Sequence, residues 1–295
     1  MRSLLFVPGD SERKLAKALS SSADALIVDL EDSVAAERKV AARKLACAFV
    51  AAHRTEGGPS FVLRINDMAS LAWRDDLDAV LPARPDAVML PKPRGGGDVT
   101  RLSQALDERE AALGLAAGAT RIIAIATEVP ASLLAMHTYA GCTPRLAGLA
   151  WGREDLSAAL GASATTDETG AMASPFRLAR DLCLFGAAAA GVMAIDEIHA
   201  DFRDVAGLEQ AARAAARDGF AAKMAIHPDQ VPAINAAFTP SAQEVAEARA
   251  IIAAFADAAG AGTVSLDGRM LDRPHLARAE RVLARSGVNA PAGGR

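Results

Sequence analysis

Charged side chains stand at the ends of short apolar runs along this chain. Their types could hold a metal ion and an organic anion together. Asp29-Leu30-Glu31-Asp32 closes one run, Arg64-Ile65-Asn66 the next, and Leu90-Pro91-Lys92 the one after. Thr127-Glu128, Gly152-Arg153-Glu154-Asp155, Ile195-Asp196-Glu197 and His227-Pro228 follow in the same way. Burying unpaired charge is costly. A ring of mixed charges gathered in one place therefore calls for a metal and an anionic ligand sharing one pocket. Glu128 and Asp155 lie just past consecutive runs. Two carboxylates from neighbouring strands can place oxygens on one hard cation. Mg2+, with six oxygen ligands at ~2.0–2.1 Å, keeps waters that a substrate can replace. The same two acids also suit the first turns of the helices that follow, where negative charge is favoured.

Arg64 offers a planar fork matched to a carboxylate or a keto acid, or else a salt bridge to Asp29 or Glu31. Lys92 is placed for a Schiff base at a strand end. Nothing near it points to a depressed pKa, and an ion pair with neighbouring acids is the simpler reading. Asp196 and Glu197 read as ion-pair partners or helix caps. His227 has no other histidine nearby in sequence and is not read as a metal ligand. No Ser-His-Asp arrangement and no GxSxG occurs.

These residues need a scaffold that brings strand ends together. Candidate strands fall at 3–8, 25–30, 60–65, 87–92, 121–126, 146–151, 192–196 and 221–226. Most are apolar on both faces, as strands covered on both sides must be. Ala-rich amphipathic stretches follow them at 11–20, 34–53, 69–81, 98–112, 130–139, 154–160 with 175–190, 204–218 and 228–237. Asp10 or Ser11 can cap the first, and Pro130 and Pro228 suit a first helical turn. Eight β/α units in about 235 residues match a (β/α)8 barrel, whose active sites sit at the C-terminal strand ends. A doubly wound open sheet is the alternative, but no GxGxxG follows a strand. Gly95-Gly96-Gly97 reads as a flexible loop rather than a phosphate cradle. We expect an α/β chain with a TIM (β/α)8 barrel at 1–238 and a C-terminal extension at 239–295. The extension would comprise a helix at 241–258, a hairpin at 263–272 turning on Asp267-Gly268, a helix at 274–285 and a disordered tail at 290–295. It would serve as a lid or an oligomerisation arm.

Composition narrows the classes. The chain has 295 residues, is 51% hydrophobic and carries a net charge of −4. No basic block is present, which argues against a nucleic-acid partner. No run reaches the ~18 apolar residues of a membrane span. The opening Met1-Arg2-Ser3-Leu4-Leu5-Phe6-Val7-Pro8 is too short an apolar run for a signal peptide and reads as the first strand. Cys47, Cys142 and Cys183 lie far apart with no CxxC. They read as structural thiols in a reducing cytoplasm.

Eight segments in order resemble one family. They are Leu5-Phe6-Val7-Pro8-Gly9-Asp10, Val28-Asp29-Leu30-Glu31-Asp32-Ser33-Val34 with Lys39 to Arg43 downstream, Leu63-Arg64-Ile65-Asn66, and Leu90-Pro91-Lys92. Then come Thr127-Glu128-Val129-Pro130, Gly152-Arg153-Glu154-Asp155-Leu156, the stretch from Gly219 to Pro228, and the stretch from Leu266 to Pro274. Together they resemble the citrate lyase β-subunit-like branch of the HpcH/HpaI aldolase superfamily, over nearly the whole chain. The resemblance implies a Mg2+-dependent carbon–carbon lyase. It would cleave or form a malyl- or citramalyl-type 3-hydroxyacyl-CoA, to or from an acyl-CoA and a small α-keto acid. It implies Glu128 and Asp155 as metal ligands and Arg64 on the keto acid. Phe6, Arg13 and Lys17 would lie on the coenzyme A moiety. Asp272 would act as a catalytic acid or base on a lid from a neighbouring subunit, in a homo-oligomer that is commonly a trimer. Ala222 and Arg153 depart from the pattern, and a cation at 153 could change acyl-chain preference. Three other readings stay open: a malyl-CoA-type thioesterase, an acyl-carrier-dependent citrate lyase subunit, and a non-catalytic coenzyme A-binding barrel.

Overall fold

A computed structural model describes residues 1–258 and 260–286. The expected tail at 290–295 lies outside the described residues. The chain divides into two compact units, Met1–Asn235 and Ala236–Arg295.

The first unit is a closed barrel of eight parallel strands in sequence order. They are β1 Ser3–Pro8, β2 Ala25–Asp29, β3 Ser60–Arg64, β4 Ala87–Leu90, β5 Arg121–Ile125, β6 Leu146–Ala150, β7 Met193–Asp196 and β8 Ala222–Ala225. β1 pairs with both β2 and β8, which closes the ring and leaves no free edge. The helices of this unit are α1 Glu12–Leu19, α2 Lys39–His53, α3 Ala72–Val80, α4 Gly96–Ala112, α5 Pro130–Leu134, α6 Glu154–Leu160, α7 Ser174–Ala190, α8 Val205–Asp218 and the start of α9 Val231–Phe238. Ser11 caps α1, accepting from the Lys14 amide at 3.4 Å. Each expected strand is present, its observed end within two residues of the reading.

Strand alternation sorts the side chains. Leu4, Ala25, Ile27, Val62, Met89, Ile123, Ile125, Ala150, Ile195 and Met224 pack together in the barrel interior, with Phe6 against them. Asp29 continues the inward row of Ala25 and Ile27, and Arg64 continues that of Val62. The opposite parity carries Trp151, Asp196 and Lys223 into the layer between strands and helices. There Lys223 and the Trp151 indole each donate to Asp196 at 2.7 Å, and Arg180 of α7 stands 3.4 Å from the same carboxylate. Asp196 is thus consumed by a buried ionic cluster. Glu197 is likewise paired, with Arg153. At the N-terminal end of the barrel Arg145 spans Glu110 and Asp107 and donates to the Thr120 carbonyl. That is where polar contacts serve stability rather than chemistry.

The second unit has its own small core. α10 Ala242–Asp257 and α11 Arg273–Ser286 pack through Ala248, Ala279 and Leu283, with Val245, Ile252 and Val282 around them. Ser241 and Glu244 form a reciprocal capping box at the start of α10. The antiparallel pair β9 Thr263–Leu266 and β10 Arg269–Asp272 turns on Asp267 and Gly268. Both have positive φ, 49° and 75°, as a type I′ hairpin turn demands.

One expectation fails. Gly95-Gly96-Gly97 is no flexible loop, because α4 starts at Gly96. A Cβ at Gly96 would stand 2.0 Å from the Thr138 carbonyl oxygen, whereas one at Gly97 would meet nothing within 4 Å. The run lets α4 lie directly on the backbone of the segment after α5. Gly96→Ala is therefore expected to cost about 2 kcal/mol or more through overpacking. Gly97→Ala should be neutral or slightly stabilising. Denaturant midpoints of the two variants check this, and equal midpoints would contradict the close approach.

Candidate active site

Register builds the site before any ligand arrives. Asp29 and Arg64 are direct neighbours across β2 and β3, and both point into the barrel mouth. Arg64 donates from Nε to Asp29 Oδ1 and from Nη2 to Oδ2, each at 2.7 Å. Its Nη1 lies 2.9 Å from Glu31 Oε2. The Phe6 ring lies under the guanidinium, 4.8 Å from centroid to Cζ. Burial opposes the charge on Arg64, but the Asp29 bonds and the nearby acids overcome it and hold the group firmly cationic. The salt-bridge alternative for Arg64 is therefore what this structure contains. Asp29 behaves in the same way: burial pushes its carboxyl up, and the Arg64 contacts more than reverse that.

From Glu31 the contacts run on to the next strands. Lys92 Nζ donates to Glu31 Oε1 and, at 3.0 Å, to Asp32 Oδ2. It also stands 3.5 Å from Asp155 Oδ1. The Lys92 backbone amide donates to Glu128 Oε2 at 2.7 Å. Thr127 and Gly152 exchange two hydrogen bonds, at 3.0 and 3.1 Å, which fasten together the chain segments bearing Glu128 and Asp155. The structure therefore brings Arg64, Glu128 and Asp155 into one continuous charge cluster with Asp29, Glu31, Asp32 and Lys92.

Five carboxylates here face two cations. Glu128 is 5% exposed, and burial, aided by the nearby Glu31 and Asp155 charges, pushes it up to about 8. Burial also raises Glu31, and its Oε2 makes no hydrogen bond despite the Arg64 contact. A site with surplus buried acid and oxygen donors alone suits a hard divalent ion. Among the described residues no group of three or more His, Cys, Asp or Glu side chains is arranged to hold a metal alone. An acid pair would leave coordination places to water and substrate. For Lys92 burial disfavours the charge, but Glu31 and its neighbours outweigh that and raise its pKa. That direction is opposite to what a Schiff-base lysine needs.

Beside this cluster opens a cavity of about 660 Å³. Phe6, Arg13, Lys14 and Lys17 line it with Asp29 and Arg64, and Ile198, Ile226 and His227 close the other wall. α1 carries the three cations on one side, an electropositive approach to the Arg64 end. Asp272 lies in the second unit on β10, its carboxylate 2.5 Å from His275 Nδ1.

Sequence reading places Lys39, Arg43 and Asn66 in the matching segments without their supporting roles, and misses Asp76. Lys39 Nζ donates to the carbonyls of Leu30 and Glu31 at 2.7 and 2.6 Å, and Asn66 Nδ2 donates to the Leu30 carbonyl at 3.0 Å. Asp76 of α3 accepts from the Asn66 amide and side chain, both at 2.7 Å, and from Arg43. A signal was available. Asp76 sits on the buried stripe of α3 with Trp73, Leu77 and Val80, where an acid must have buried partners.

Comparison with known proteins follows the same lines. The family described as HpcH/HpaI aldolase/citrate lyase matches residues 2–228. One described as a C–C bond lyase of the TIM-barrel fold matches 181–290. A citrate lyase subunit beta-like protein of Mycobacterium tuberculosis is 36% identical, covering 96% of this chain and 94% of its own. A (3S)-malyl-CoA thioesterase of Cereibacter sphaeroides is 32% identical over 97% and 94%. The crystal structure of CitE from M. tuberculosis in complex with magnesium, acetoacetate and coenzyme A superposes with a TM-score of 0.77. It is 33% identical and covers 97% of this chain and 98% of that one.

The Glu128 shift has a sign that can be measured. A carboxyl raised from 4.5 to about 8 in the fold contributes stability that is complete below the ordinary carboxylate range and lost as pH rises toward 8. In EDTA, the thermal midpoint should therefore fall across that window, and Glu128→Gln should flatten the fall. Parallel profiles for the two proteins would show that Glu128 is already ionised.

Proposed function

The chain belongs to the HpcH/HpaI aldolase/citrate lyase family of carbon–carbon lyases, and from that premise we propose that it cleaves or forms a malyl- or citramalyl-type 3-hydroxyacyl-CoA. The observation that carries the reading is the single cluster joining Arg64 to Glu128 and Asp155. Glu128 and Asp155 would hold Mg2+, which supplies Lewis-acid polarisation of the oxygen that becomes, or was, a carbonyl. The magnesium in the related CitE complex supports this assignment.

The remaining work falls to side chains. Arg64, fixed on Asp29 through Nε and Nη2, presents Nη1, which stands beside Glu31 in this structure, to the keto-acid carboxylate. Phe6 holds that guanidinium in plane from below. Arg13 and Lys17, on the cavity wall, attract the phosphates of the coenzyme A moiety. In the cleavage direction the 3-hydroxyl gives its proton to solvent water. The electrons of the breaking C–C bond move to the thioester α-carbon, and that carbon takes a proton from Asp272 of a neighbouring copy. In the reverse direction Asp272 removes the same α-proton. The products are an acyl-CoA and an α-keto acid. The chain thus acts within a homo-oligomer, with a trimer as the expected form. No helix among the described residues is long and apolar enough to cross a membrane.

The Cereibacter relative keeps a hydrolytic reading open, with the same ligand and water as acceptor. Product analysis decides between them: acyl-CoA plus keto acid for the lyase, free CoA plus a hydroxy acid for the thioesterase. Glu128→Ala and Asp155→Ala should each lower turnover on the order of a thousandfold, the loss expected from several kcal/mol of Lewis-acid stabilisation. Circular dichroism should remain native. Full activity in EDTA would end the metal assignment. Arg64→Lys, which keeps charge but loses the fork, should raise KM for the keto acid in the condensation direction.

A further inference from the structure

We propose that Lys92 is a built-in counter-cation of the acid cluster, holding Glu31, Asp32 and Asp155 together and weakening the site's affinity for a divalent ion. The inference rests on the reading that Glu128 and Asp155 bind Mg2+. Residue 92 has φ of 50°, a left-handed conformation that a non-glycine residue adopts at a cost of ~1 kcal/mol or more. That conformation aims one residue at both proposed ligands. The backbone amide donates to Glu128 Oε2 at 2.7 Å. The ammonium reaches Glu31, Asp32 at 3.0 Å and Asp155 at 3.5 Å. A lysine side chain only 21% exposed and shared among three acids neutralises repulsion that would otherwise splay them. The same charge opposes the arrival of a second cation at the same acids. The backbone contact is independent of side-chain identity, so the two roles of the residue separate by mutation.

Mg2+ titrations of wild type, Lys92→Met and Lys92→Arg by calorimetry, with thermal midpoints in EDTA and in Mg2+, test this. Removing one unit of positive charge beside a divalent ion should tighten Mg2+ binding by roughly tenfold in a partly screened site. Lys92→Met should also lower the metal-free midpoint and show a larger Mg2+-induced rise than wild type. Lys92→Arg, which retains the charge, should stay near the wild-type affinity. A general packing defect would instead weaken binding in both variants, and that outcome overturns the proposal. So does a Lys92→Met affinity equal to wild type. Lys92→Gln, run alongside, repeats the charge removal with a shorter side chain should methionine pack poorly. If wild type binds no Mg2+, the metal reading falls and takes this proposal with it. If wild type binds and neither neutral variant binds more tightly, this proposal falls alone.

Discussion

Arg64 and Asp29 meet because parallel register makes them neighbours and strand parity turns both inward. Their two-point contact is buried at the barrel mouth, where removing either partner would strand a charge away from water, a loss of about 3–5 kcal/mol in comparable pairs. Glu31 is drawn in by the free edge of the same guanidinium, Lys92 by Glu31, and the Glu128 and Asp155 carboxylates by Lys92. The arrangement is therefore ordered before a ligand enters. Preorganised charge of this kind is the usual source of rate enhancement where an oxyanion or enolate develops.

The barrel keeps two kinds of buried charge apart. Arg145 with Glu110 and Asp107 lies at the N-terminal end, and Asp196 with Lys223, Trp151 and Arg180 lies between strands and helices. Both clusters are closed, with cations and acids bonded to one another. The mouth differs in having a buried carboxylate oxygen, Glu31 Oε2, without a hydrogen bond. That open valence, more than the presence of charge, separates a site from a scaffold.

Much of this was legible in the chain. Apolar runs of four to six residues, most of them ended by a charged or polar group and followed by an amphipathic stretch, define β/α units by periodicity alone, and all eight strands stand where they read. The charges that gather at the mouth were visible in the chain as strand-end residues, though each also had a structural reading as an ion pair or a helix cap. Partnerships were not. Whether Arg64 pairs with Asp29 or Glu31 depends on register and parity, and it touches both. Asp196 reads as an ion-pair partner and is one, but its partners Lys223 and Arg180 emerge only from the strand alternation that turns it outward. Gly95–Gly97 looked loose because sequence shows composition, while the constraint comes from the Thr138 backbone, more than forty positions away. Asp272 resembled a family residue, and no physical pattern in the sequence singled it out.

The paired hydrogen bonds between Thr127 and Gly152 carry a consequence for breathing of the rim. A hydroxyl that gives to the carbonyl and takes from the amide of one residue works as a rivet: neither β5 nor β6 can drift at its tip without the other. The two acids ride as one bracket whose arms move together. Threonine there suits the task, since its branched carbon restricts rotation of the hydroxyl, and serine would supply the same bonds on a looser pivot.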